Sequence, residues 1–181
     1  MAELSIAARC GAGTLSRVGH LNVLTLEGSP FEIGLQHGTL LKAEIVRGCA
    51  PTFGGDRAFA DILSVLPDSQ CCLVRQVIDG LYAQLAAGLD RDLNAELEGI
   101  ARGADLPFDV VMRATCRSEI LQVLAALEAA EPSGECTGLV VHGSRSEDGR
   151  LLHGKNQDYD GAGLWDAVPT VTVVRMPGAL P

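Results

Sequence analysis

The period of the hydrophobic pattern changes once along this chain, and that change constrains its fold more than any other feature. Through the first 130 residues the apolar positions recur mainly at helical spacing. Past Glu131-Pro132-Ser133-Gly134 they alternate with a period of two. Spacings of 3.6 and 2 serve different backbones, so helices come first and strands follow. The expected class is α+β, with the joint at the Pro-Ser-Gly stretch.

Within the first part, Leu21–Glu27 reads as a strand. A helix start follows at once, with Ser29 as N-cap, Pro30 at the first helical position and Glu32 three residues after the cap, a capping-box pattern. This helix is expected to run to Arg47 and to end at Gly48. After a Gly-rich loop at 53–55 and a short helix near 56–65, Pro67 opens a longer helix. Its residues Leu73, Val77, Leu81 and Leu85 recur every four positions. Two more helices are expected, Asp92–Gly103, with Leu93, Leu97 and Ile100 on one face, and Pro107–Leu127. Gly11-Ala12-Gly13 reads as following no strand and opening no helix, which argues against a nucleotide loop. After the joint, Leu139–Gly143 and Leu151–Gly154 read as a hairpin around the polar turn 144–149, and Thr170–Arg175 as a third strand.

Charge removes several functions. Fourteen Lys and Arg stand against 23 Asp and Glu, a net charge of −9, and no basic cluster occurs. Nucleic acid and anionic membrane surfaces are therefore unsuitable partners. No apolar run reaches the ~18–20 residues of a membrane span. The start Met1-Ala2-Glu3-Leu4 lacks the basic and apolar regions of an export signal, so a cytoplasmic location is expected. The six cysteines show no Cys-x-x-Cys spacing and read as thiols. Adjacent Cys71 and Cys72 point about 100° apart on a helix and make a poor metal clamp. His142 and His153 lack a third ligand, and His37, on the Ile33/Leu41 side of its helix, reads as a packed histidine. No metal is expected.

Cys136 opens the first strand after the joint. A turn centred on Glu147-Asp148 sets His142 opposite His153, Thr137 opposite Asp158 and Cys136 opposite Tyr159. Opposed residues of an antiparallel pair lie ~4.5–5.5 Å apart, so a carboxylate comes close to a strand-initial thiol. Such a cysteine can attack the carbonyl of Glu135 in an N-to-S acyl shift. Hydrolysis then frees an α-amine of pKa ~7.7–8.0, able to serve as base for its own thiol. A buried structural cysteine fits the same spacing. Trp165 and Tyr159 suit either an acyl pocket or core packing.

Four segments in order carry a resemblance. They are Gly28-Ser29-Pro30-Phe31-Glu32-Ile33-Gly34-Leu35-Gln36-His37-Gly38, Glu96-Leu97-Glu98-Gly99-Ile100-Ala101-Arg102-Gly103-Ala104, Arg117-Ser118-Glu119, and Cys136-Thr137 followed by Gly154-Lys155-Asn156-Gln157-Asp158-Tyr159-Asp160. Together they resemble the isopenicillin-N acyltransferase-like family of cysteine N-terminal-nucleophile hydrolases. The resemblance implies an autoprocessed amidase or acyltransferase, made as a zymogen and cut between Glu135 and Cys136. Cys136 would be the nucleophile and Asp158 would bind the amine. A small acyl-amine would be the substrate and acyl-coenzyme A a candidate donor, with no cofactor. Glu135 stands where the best-known member has glycine.

The family fold is a four-layer αββα sandwich. Residues 1–135 would be its helical pro-segment and 136–181 the start of its catalytic sheet. The stretch after Cys136 is too short for two sheets and lacks the family's late oxyanion-hole Asn. An incomplete catalytic region is therefore expected, to be completed by a further C-terminal segment or by self-association. The competing reading is a non-catalytic helical interaction module that keeps the family's front half.

Overall fold

The computed structural model describes residues 5–52, 67–116, 137–156 and 168–178. They form a mixed α+β structure.

The chain starts with three antiparallel strands, β1 (Ser5–Cys10), β2 (Gly13–Val18) and β3 (Leu21–Glu27). Both connections are two residues long and begin with a glycine at positive φ, Gly11 at +56° and Gly19 at +61°. This is the II′ arrangement, whose twist matches the flanking strands. β3 falls on the expected residues, but β1 and β2 were not expected. Ser5-Ile6-Ala7-Ala8-Arg9-Cys10 shows no alternation, and its register shifts between Ile6 and Ala8. Gly11-Ala12-Gly13 therefore does follow a strand, and turns back into another.

Strand β6 (Thr170–Arg175) occupies its expected residues and lies parallel to β3, so the sheet order is β1-β2-β3-β6. At the two ends of this ladder the Asn22 N–H donates to the Pro169 carbonyl (2.9 Å) and the Gly28 N–H to the Arg175 carbonyl (3.2 Å). Leu15, Leu24 and Leu26 point to one face of the sheet and pack on Ile33, Leu40 and Leu41, burying apolar area that drives folding.

Helix α1 (Pro30–Leu40) starts at Ser29 with the full capping box. The expected single helix to Arg47 is divided at Leu41, whose φ of −117° and ψ of 29° leave the helical region. α2 (Lys42–Thr52) then passes through Gly48 rather than ending there. α3 (Asp68–Gly88) and α4 (Arg91–Ala104) follow near their expected places. α5 (Phe108–Thr115) starts where expected but ends at Thr115, with Cys116 as its C-cap, instead of running on to Leu127. The expected short helix near 56–65 lies outside the described residues. On α3 the packed row is Val74, Ile78 and Tyr82, joined by Leu81 and Leu85. Leu73 is 61% exposed and Val77 42%, so the buried stripe lies one residue beyond the expected one. The guanidinium of Arg113 on α5 lies 4.6 Å from the centre of the Tyr82 ring and 2.8 Å from Asp79, pinning α5 to α3.

β4 (Thr137–Val141) and β5 (Leu152–Asn156) form a separate antiparallel hairpin joined through a 3₁₀ turn at Gly143–Arg145. Among the described residues no helix is long and apolar enough to cross a membrane.

Candidate functional site

The β4–β5 hairpin lies between the segments in which the sequence analysis placed its candidate residues. Its register pairs Thr137 with Asn156, Leu139 with Gly154 and Val140 with His153. The ladder is therefore centred on Ser146-Glu147, and strand β5 is displaced by two residues from the expected alignment. The turn accounts for the shift. Gly143, at φ +60°, starts the 3₁₀ turn, Ser146 Oγ donates to the Gly143 carbonyl (3.2 Å), and the Arg150 N–H donates to Asp148 Oδ1 (3.1 Å). A displacement of two keeps each side chain on its face. Thr137 faces Asn156, two residues before Asp158, and His142 does not face His153. The candidate residues Glu135, Cys136 and Asp158 lie outside the described residues, as do Tyr159, Trp165 and Arg117–Glu119.

The first two segments of the resemblance meet in space, with glycines at the contact. Gly34 and Gly38 on α1 interdigitate with Gly99 and Gly103 on α4. A Cβ on Gly34 would collide with the carbonyl of Glu96, one on Gly38 with that of Ile100, and one on Gly99 with that of Phe31. A Cβ on Gly103 would lie 2.5 Å from the carbonyl of Leu35. Four-residue spacing puts each pair on one helical face. The motif glycines thus let two backbones touch, a role in packing.

A second cluster sits where α1 meets the end of β3. Gln36, only 5% exposed, accepts from the Glu27 N–H at Oε1 (3.0 Å) and donates from Nε2 to the Glu27 carbonyl (2.7 Å). N–H and C=O of one strand residue point to the same side, and neighbours alternate. Asn22 and Gly28 point toward β6, so Glu27 points toward β2. There β2 has already ended at Gly13, and the Gln36 amide takes the place of its next peptide. Gly13 leaves room for it, since a Cβ there would lie 2.7 Å from Oε1. Sequence reasoning gave Gln36 no role. Its signal was a polar residue on the buried face of an otherwise apolar and glycine-lined helix.

Beside this amide lies a cleft of about 380 Å³, bordered by Cys10, Ala12, Glu27, Gly28, Glu32 and Gln36. Both of its carboxylates are engaged. Glu27 Oε2 lies 3.8 Å from the Arg175 guanidinium, and Glu32 Oε2 accepts from the hydroxyl (2.7 Å) and the N–H (2.8 Å) of Ser29. Those two bonds, the hydroxyl foremost, hold the Glu32 carboxyl below its ordinary range. A second depression, of about 500 Å³, lies at Val140–Arg145. His37 is half-buried, and burial pushes its imidazole pKa down, so the ring is neutral at pH 7. Burial pushes the carboxyl of Glu96 and the thiol of Cys49 up. Among the described residues no three His, Cys, Asp or Glu side chains are grouped to hold a metal ion.

No family model matches the chain, and no curated protein matches its sequence.

Proposed function

We propose that this chain is a cysteine N-terminal-nucleophile enzyme of the isopenicillin-N acyltransferase-like type, acting on a small acyl-amine. In the maturation step Cys136 Sγ attacks the carbonyl carbon of Glu135. The peptide C–N bond breaks, the thiol proton passes to the departing amine, and a thioester remains. Water hydrolyses it, leaving the Glu135 carboxylate and a free Cys136 α-amine. In turnover that amine takes the thiol proton, Sγ attacks the substrate amide carbonyl, and backbone N–H groups hold the developing oxyanion. The substrate amine leaves with the proton. Water or a second amine, with acyl-coenzyme A as an alternative donor, completes acyl transfer. Asp158 holds the α-ammonium between cycles.

The observation that carries this reading is the pairing of Thr137 with Asn156. Strand β4 begins directly after Cys136, and β5 ends two residues before Asp158. Thr137, next to Cys136, and Asn156, two residues before Asp158, therefore stand at one end of one hairpin.

Mass spectrometry of the purified chain tests it. The expected result is a break before Cys136 that vanishes in Cys136→Ala. Hydrolysis of an acyl-amine panel should fall at least tenfold in Asp158→Asn while the fold is kept. An intact chain without activity on any member of the panel would favour the non-catalytic module instead.

A further inference from the structure

Strand β6 comes from the far end of the sequence, and its attachment to β3 ends at a single planar unit. The peptide joining Glu27 to Gly28 offers its carbonyl to Gln36 Nε2 (2.7 Å) and its N–H to the Arg175 carbonyl (3.2 Å). A peptide is rigid about its C–N bond, so rotating this plate to lose one bond loses the other. The bonds also reinforce each other, because a carbonyl that accepts a hydrogen bond polarises the N–H across the same plane. Gly28 itself stands at φ +131°, a conformation that other residues avoid. On the β3 side, Gln36 also bonds the Glu27 N–H (3.0 Å), fixing both faces of the residue that leads into the plate.

We propose that Gln36 is a latch. Through the Glu27–Gly28 peptide it holds the end of β6 in the sheet, so that docking of α1 and attachment of β6 are one event. The latch is set from both sides. α1 carries Gln36 inward on its buried face, and Gly13 at the start of β2 leaves the space its amide occupies. This inference does not depend on the proposed enzymatic activity.

Amide hydrogen exchange on the full chain tests it. Gln36→Met keeps the length of the side chain and removes both hydrogen bonds. The β6 amides should exchange at least tenfold faster in this variant, while those of the β1–β2 hairpin change less than threefold. Gly13→Ala, which displaces the same amide from the sheet side, should likewise accelerate exchange of the β6 amides at least tenfold. Equal acceleration in β6 and in β1–β2, or none, would overturn the latch. The unmodified chain supplies a measurement that needs no variant. The Gln36 side-chain amide and the Arg175 backbone amide should become exchangeable in the same opening event as denaturant is raised. A β6 that opens while the Gln36 amide stays protected would equally overturn it.

Discussion

Gly34 of α1 lies directly against the backbone carbonyl of Glu96 on α4, with no space between them for a methyl group. Gly38, Gly99 and Gly103 repeat this contact along the pair, so helix separation is set by backbone atoms. Close approach of this kind favours Cα–H···O contacts between helices.

Gly34→Ala should therefore lower stability by ~1–3 kcal/mol, toward the upper end, since a backbone carbonyl cannot swing aside as a side chain would. Gly80, in the middle of α3, has nothing within 4 Å of the position a Cβ would take. Gly80→Ala should instead stabilise by ~0.5–1 kcal/mol through helix propensity. Urea titration of the two variants gives the comparison. Equal effects would show that the α1–α4 contact is not tight.

The capping box makes a second separable prediction. Removing the Ser29 hydroxyl should cost about 1 kcal/mol by freeing the Glu32 N–H at the start of α1. Glu32 has a folded-state pKa below its ordinary value. Its contribution is present above the ordinary carboxylate range and is lost as pH falls through the folded value. Glu32→Gln should flatten the acid limb of the stability profile, measured by thermal melts between pH 3 and 7. An unchanged acid limb would show that the Ser29 bonds to the carboxylate contribute nothing.

Two half-buried groups near the α1–α4 contact act in opposite directions. His37 has a lowered pKa, so the unfolded chain binds its proton first and stability falls as pH drops below ~6.5. Glu96 has a raised pKa, so the folded chain binds its proton first and stability falls as pH climbs through the carboxylate range. Glu96→Gln should raise the melting temperature at pH 7, and His37→Gln should reduce the loss between pH 6.5 and 5. Reversal of either sign would contradict the burial of that group.

If the chain is cut before Cys136, the two pieces should remain together under native conditions. Strand β6, in the later piece, forms a six-residue ladder with β3 in the earlier one. Native size exclusion should show one species, and denaturing electrophoresis two. Val173→Pro, which removes an N–H that faces β3, should let the pieces part. Separation of the unmodified pieces would mean that this ladder cannot hold alone.

Local signals were legible wherever the backbone itself required particular residues. Ser29-Pro30 and Glu32 announced α1, and Thr170–Arg175 announced a β-branched strand. Which strand β6 would join was not legible, because pairing across the chain leaves no periodic mark in either partner. β1 escaped because Ala7, Ala8 and Arg9 carry no alternation, although the Gly-x pairs at 11 and 19 were usable hairpin signals. The hairpin register was read two residues off because the turn's own bonds, from Ser146 to Gly143 and Arg150 to Asp148, outweighed simple symmetry. The glycines of α1 and α4 were visible as a motif, but their purpose emerged only when the two helices lay together.

The parallel ladder between β3 and β6 also bears on how the protein is made. Its two strands are separated by most of the chain, and closing so long a loop is slow compared with forming the adjacent hairpins β1–β2–β3. During synthesis from the N-terminus, the β1–β3 meander and the α1–α4 pair can assemble early, with the edge of β3 left unpaired until β6 emerges. For that interval β3 presents open backbone groups to any passing strand, and the sheet closes only when β6 arrives.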